Sequence, residues 1–155
     1  MRLSIWDLDH TVIDSSHRQL TRDDGSLDLD HWIENCTRRK IMRDSLLPLV
    51  HEMRRRYQAG ERIVICTARV MGRYDYQFLL VNNIPFDYIL SRPKTSKERD
   101  AELKARQLTR LFARIRVRPR DVEMFDDNDG VLEAISAIGV KCHDAKRLNA
   151  AFHAI

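Results

Sequence analysis

LSIWDLDHT, residues 3–11, begins as a short apolar run and stops at an aspartate. Leu3 to Trp6 reads as a buried strand, and Asp7 and Asp9 follow it as an Asp-x-Asp pair. Such a pair is a weak signal by itself, because turns are rich in Asp. Here it lies between a β-run and apolar Val12-Ile13, which a generic turn would not require. The arrangement returns at DVEMFDDND, residues 121–129, where a second apolar run ends at Asp126-Asp127.

Working outward, RIVIC (62–66) is a β-branched run suited to a buried parallel strand, and DYIL (87–90) is a shorter one. A last strand is expected at Val140 to His143. Helices are expected between these strands. One starts at Asp44 or Ser45 as cap, carries Leu46, Val50, Met53 and Tyr57 on one face, and ends at Gly60. Others cover 72–82, 97–115 (with positions 104, 108, 111 and 115 on one face) and 131–138. Residues 12–43 are polar and turn-rich around Asp23-Asp24-Gly25-Ser26, with one apolar patch at Trp32-Ile33. Strands alternating with helices indicate an α/β architecture, a parallel sheet with helices on both faces.

The composition is that of an ordinary soluble chain. The 155 residues fit one domain, with a hydrophobic fraction of 43% and a charged fraction of 32%. No apolar run approaches the roughly 20 residues of a membrane span, and no secretion signal is read at the start. Cys36, Cys66 and Cys142 have no zinc spacing, so reduced thiols and a cytoplasmic location are expected. A net charge of +4 permits a nucleic-acid partner without demonstrating one.

In open α/β sheets, ligands bind outside the carboxyl ends of the strands. The residues to inspect are therefore Asp7 and Asp9, Thr67 and Arg69, Ser91 and Arg92, and Asp126 to Asp129. Four or five carboxylates at one sheet edge would repel, and a hard divalent cation such as Mg²⁺ offsets that repulsion. The alternative is that both acidic clusters merely cap the following helices. The hydroxyl of Thr67 and the guanidinium of Arg69 are suited to hold phosphoryl oxygens. Lys104 heads an apolar stripe and points inward at the rim, with Asp100 one turn before it able to fix the ammonium. Together these residues fit phosphoryl transfer, with Asp7 as nucleophile and Asp9 as the acid and base.

These motifs resemble the haloacid dehalogenase superfamily of phosphohydrolases. Its four motifs correspond in order to Asp7-Leu8-Asp9-His10-Thr11, to Thr67, to Lys104 and to Asp126-Asp127. The resemblance implies a three-layer Rossmann-like fold, a minimal cap at 12–43, and Mg²⁺ held by Asp7, Asp9, Asp126 and Asp127. The run Thr67-Ala68-Arg69 with Arg92, Asp100 and Lys104 is similar to the phosphatase half of phage and bacterial polynucleotide kinase/3′-phosphatases. That likeness implies that Thr67, Arg69, Arg92, Asp100 and Lys104 line the phosphate pocket. No GxxxxGK[ST] loop is present, so no kinase half is expected.

Three readings stand. The first is a Mg²⁺-dependent phosphomonoesterase on a polynucleotide 3′ end, favoured by a mouth too sparsely covered to exclude a polymer. The second is the same chemistry on a nucleotide or other small phosphate ester, as in a 5′-nucleotidase, with Trp32 stacking a base or simply anchoring the insert. The third is a non-catalytic nucleic-acid-binding or regulatory protein on the same fold, for which a damaged Asp-x-Asp pair or a lost lysine would be expected. His10, His143 and His153 receive no role.

Overall fold

The computed structural model describes residues 2–153, the side chain of His153 excepted, and Met1, Ala154 and Ile155 lie outside it. Five parallel strands form the main sheet: β1 (Leu3–Trp6), β4 (Arg62–Cys66), β5 (Tyr88–Leu90), β6 (Val122–Asp126) and β7 (Lys141–Asp144). Their order across the sheet is β5-β4-β1-β6-β7. β1 is central, so the order reverses around it, which creates the crevice where such sheets bind ligands. Two short strands, β2 (Ile13–Asp14) and β3 (Ser45–Leu46), pair antiparallel and close the base of the insert.

The period-two alternation of the strands divides the core in two. Trp6, Ile63, Ile65 and Phe125 face one side. Helices α3 (Leu49–Gln58), α4 (Arg73–Val81) and α7 (Ala145–His153) cover them with Leu49, Val50, Met53, Phe78, Leu79 and Ala145. Leu3, Ile5, Val64, Cys66, Val122 and Met124 face the other side. There α5 (Asp100–Ile115) and α6 (Asp129–Ala137) supply Leu108, Leu111, Phe112, Val131 and Ile135. Each large aliphatic side chain buried in this way contributes about 1.5–3 kcal/mol. In one register row, Trp6, Phe125 and His143 stack at 3.9 Å and 4.7 Å between ring centroids.

The α/β reading of the sequence therefore holds, with local differences. The first long helix starts at Leu49. Asp44 does not cap it; the amide of Leu49 donates instead to Asn149 Oδ1 at 3.0 Å. Val50 and Met53 are buried, but Leu46 lies in β3 and Tyr57 is exposed. Gly60 (φ 89°) and Gly139 (φ 100°) take the left-handed conformation that ends α3 and α6. The last helix, α7, is not foreseen from the pattern. It has a structural task, because Asn149 also donates to the carbonyl of Thr11 at 3.0 Å and so ties α7 to the loop after β1.

The stretch from 12 to 43 is more ordered than its composition implies. It holds β2, a 3₁₀ turn over Ser16–Arg18, α1 (Leu29–Glu34) and α2 (Arg38–Ile41). Asp28 and Thr37 cap the two helices through their side chains. Among the described residues, no helix is long and apolar enough to cross a membrane.

Candidate active site

The parallel register brings three strand ends together. Trp6 pairs with Ile65 on one side and Phe125 on the other, so Asp7 emerges between the end of β4 and the end of β6. The amide of Asp7 donates to Phe125 O at 3.0 Å, and that of Thr67 to Leu90 O at 2.9 Å. After Asp7 the chain turns sharply. The amides of Thr11, Val12 and Ile13 all donate to the carbonyl of Leu8, and His10 adopts φ 62°.

Carboxylate oxygens of Asp7, Asp126 and Asp127 lie within 4.8 Å of one another. Lys104 enters from α5 and its ammonium donates to Asp7 Oδ1 at 2.9 Å and Asp126 Oδ2 at 2.7 Å. Its side chain is 3% exposed, so the two ion pairs are shielded from water. Thr11 Oγ1 donates to Asp7 Oδ2 at 3.3 Å, and the amide of Asn128 to Asp126 Oδ1 at 2.9 Å.

One ammonium does not balance three carboxylates. Burial and the neighbouring Asp7 push the Asp126 carboxyl up to about 6, despite Lys104. Burial, then Asp7 and Asp126, push that of Asp127 up to about 8. Lys104 is held above its ordinary range, because the carboxylates outweigh the cost of its burial. An all-oxygen set with surplus negative charge fits a hard divalent cation such as Mg²⁺. Asp7, Asp126 and Asp127 are the residues that would hold it.

The side chain of Asp9, also expected among the metal ligands, stands apart from these three. Its carboxylate accepts from Arg69 Nε at 3.1 Å and Nη2 at 2.5 Å, and from Ser15 Oγ at 2.6 Å. Burial alone would raise its pKa, but the Arg69 guanidinium overrides it and holds Asp9 below the usual carboxylate range. Arg69 in turn donates to Asp75 Oδ1 at 2.8 Å. The guanidinium expected on a phosphoryl group thus also donates to two carboxylates.

Arg92 and Asp100 meet each other beside the Thr67–Arg69 loop. Arg92 donates to the carbonyls of Ala68 and Glu98 at 2.9 Å and 2.6 Å and to Asp100 Oδ1 at 2.7 Å. It splices the loop after β4 to the start of α5. Asp100 pairs with Arg92 and not with Lys104, whose partners are the site carboxylates. Asp129, the third acid of its run, is 84% exposed and pairs with Lys146. The helix-capping alternative is met by Asn128, whose side chain accepts from the Val131 amide, and not by Asp126. Thr67 is buried at the end of β4, where its hydroxyl accepts from the Arg69 amide at 3.0 Å.

Four residues around Asp9 escaped the reading of the sequence as site residues: Ser15, Arg18, Asp44 and Asp75. Asp75 was legible in principle, three residues after Gly72 at a helix start, where its Oδ2 accepts from the Gly72 amide at 2.8 Å. The others lie in polar stretches without periodicity. Trp32 is half-buried under two guanidinium groups, Arg18 at 4.0 Å and Arg69 at 5.5 Å from its ring centroid.

Comparison with known proteins agrees with this geometry. The family model of the bacteriophage T5 5′-deoxynucleotidase matches residues 1–154. The 5′-deoxynucleotidase of Escherichia phage T5 is 34% identical over 169 residues, covering 96% of this chain and 68% of its own. Among solved structures, a haloacid dehalogenase-like hydrolase of Streptococcus pneumoniae superposes with a TM-score of 0.66 at 13% identity, covering 98% of both chains. The Pnkp1/Rnl/Hen1 RNA repair complex contains a chain matched with a TM-score of 0.63 at 18% identity, and this protein spans 42% of that chain. At such identities these two likenesses concern the fold, which is that of haloacid dehalogenase-type hydrolases.

Proposed function

The chain belongs to the bacteriophage T5 5′-deoxynucleotidase family, within the haloacid dehalogenase phosphatases, and on that premise we propose that it hydrolyses the 5′-phosphate of deoxyribonucleoside monophosphates. The observation that carries the substrate is the relative at 34% identity along nearly the whole chain. The reading of the sequence put a polynucleotide 3′ end first. The structural neighbour from the RNA repair complex supports the shared fold, not that substrate.

The chemistry follows from the residues at the strand ends. Asp7 attacks phosphorus and the nucleoside leaves as its alcohol, with an aspartyl-phosphate formed. Lys104 aims the Asp7 carboxylate from the sheet edge. Asp9 delivers the proton to the departing oxygen and then takes one from the water that hydrolyses the acyl phosphate. Asp9 starts ionised beside Arg69; the dianionic substrate drawing near raises its affinity for a proton, and the proton it then delivers is one taken up from solvent on substrate binding. Mg²⁺ at Asp7, Asp126 and Asp127 would neutralise charge on the transferring phosphoryl group. All three cysteines are free thiols, which supports a reducing compartment such as the cytoplasm.

The test is phosphate release with Mg²⁺ from 5′-deoxynucleotides, 3′-deoxynucleotides and a 3′-phosphorylated oligonucleotide. The proposal expects the highest kcat/KM on the 5′-deoxynucleotides. Equal or better turnover of the oligonucleotide, falling with added salt, would restore the polymer-end reading.

A further inference from the structure

Both oxygens of Asp9 are held, and one of the two side chains that hold them comes from the insert. Ser15, fully buried, donates to Oδ1 at 2.6 Å. Its hydroxyl accepts from Gln19 Nε2 at 2.9 Å, and Gln19 Oε1 meets His10 Nε2 at 2.9 Å. On the other side stands Arg69, whose Nη2 lies 3.7 Å from Asp44 Oδ2. Asp44 receives both Nε and Nη2 of Arg18 at 2.9 Å. The side chains of Arg18 and Asp44 are 0% exposed. Ser15, Arg18 and Gln19 flank one 3₁₀ turn where the chain enters the insert, and Asp44 lies where it leaves.

We infer that this entry turn, residues 15–19, together with Asp44, is a positioning device for Asp9: Ser15 acts on the carboxylate directly, Arg18 and Asp44 through Arg69. A stability role alone explains the arrangement poorly. Burying an arginine–aspartate pair costs desolvation that apolar residues of the same volume would avoid. The two ends of the insert are already joined by the β2/β3 pair. Instead, two guanidinium groups and two carboxylates are arranged in series, Arg18–Asp44–Arg69–Asp9, with the Ser15 hydroxyl on the other side of Asp9, and the series ends on the one group required to transfer protons. A proton-transfer group must lie within hydrogen-bonding reach of its target, and a misplacement of about 1 Å can cost about a hundredfold in rate. Ser15, Arg18 and Asp44 are thus positioning residues, and the insert is part of the acid's support as well as a cover.

This rests on Asp9 being the leaving-group acid. A leaving group that departs without a proton should not need the device in the first step, whereas hydrolysis of the aspartyl-phosphate uses Asp9 for either ester. The experiment therefore compares Ser15→Ala and Asp44→Asn in the first-turnover burst of alcohol release from two esters, a 5′-deoxynucleotide with a poor alkoxide leaving group and para-nitrophenyl phosphate with a good aryl one. Ser15→Ala should lower the burst rate of nucleoside release roughly tenfold and Asp44→Asn roughly a hundredfold. The burst rate of nitrophenol release should stay within about twofold to threefold in both variants. In an Asp9→Asn background, Ser15→Ala should cause no further loss. Equal losses on the two esters, no loss on either, or additive loss in that background would overturn the inference. If Asp44→Asn does not fold, Ser15→Ala decides alone, since it removes a single hydroxyl. Should the unmodified protein prefer the 3′-phosphorylated oligonucleotide, that ester replaces the nucleotide as the alkoxide arm. The substrate proposal then fails while the leaving-group contrast is still read.

Discussion

Lys104 donates to Asp7 at 2.9 Å across 97 residues of sequence, so a cation from a helix and an acid from the central strand meet only in the folded chain. The same ammonium reaches Asp126 at 2.7 Å. This bridge joins the first and last motifs of the site in the buried crevice beside β1.

Asp7→Asn preserves the shape at residue 7 and removes the nucleophile. Turnover should be lost. Thermal unfolding should stay within a few degrees of the unmodified protein, because Lys104 keeps Asp126 and one carboxylate leaves a crowded site. Steady-state rates with a melting curve check this.

Lys104→Met should lower stability as well as abolish activity. It leaves two buried carboxylates without their shared cation, and breaking such a pair typically costs about 3–5 kcal/mol. Urea unfolding without metal measures the loss. Added Mg²⁺ should recover part of it, by supplying positive charge to the same oxygens.

The pH dependence of metal binding has a definite sign. Asp126 and Asp127 titrate at about 6 and about 8 in the metal-free fold, both above the ordinary carboxylate value of 3.8. A carboxyl whose pKa is raised by folding contributes stability that is complete below the unfolded value and lost as pH rises through the folded one. Metal-free protein should therefore lose stability from these two groups between about pH 4 and pH 9. Mg²⁺ binds only the ionised oxygens, so its stabilisation should be larger at pH 8 than at pH 5. Melting curves with Mg²⁺ and with chelator at the two pH values test this, and chelator should also stop phosphate release.

Asp127→Asn isolates the group raised furthest. It should flatten the loss of stability above pH 7 in chelator, because the carboxyl that resists ionisation is gone. It should also shrink the stabilisation by Mg²⁺ at pH 8. Both effects are read from the same melting experiment.

The strand ends of the site were legible because they combine two simple signals. An apolar β-run that halts at an acid, as at Trp6-Asp7 and Phe125-Asp126, marks both a sheet edge and its chemistry. Lys104 was legible as a charge out of place on an apolar stripe. What the pattern could not convey was pairing. Asp100 is one turn from Lys104, yet its partner is Arg92 at 2.7 Å. Arg69 reads as a ligand for phosphate, and nothing in the pattern conveys that its guanidinium is shared by Asp9 and Asp75. Such choices depend on which loops meet in space, and local periodicity carries no record of that. For the same reason Arg18, inside a stretch that reads as polar loop, and Asp44, which reads as a helix cap, give no sign of their buried environment. The helix after β7 is not foreseen because its partner surface, the face bearing Leu49 and the Thr11 carbonyl, lies 100 and 138 residues earlier.

The covalent step at Asp7 is the centre of this account, and it can be trapped. Protein mixed with a 5′-deoxynucleotide carrying a labelled phosphate, quenched in acid within one turnover, should retain label on the peptide that contains residue 7. The label should be absent in Asp7→Asn. Phosphate release at full rate with no label on that peptide, or label that persists in Asp7→Asn, would contradict it.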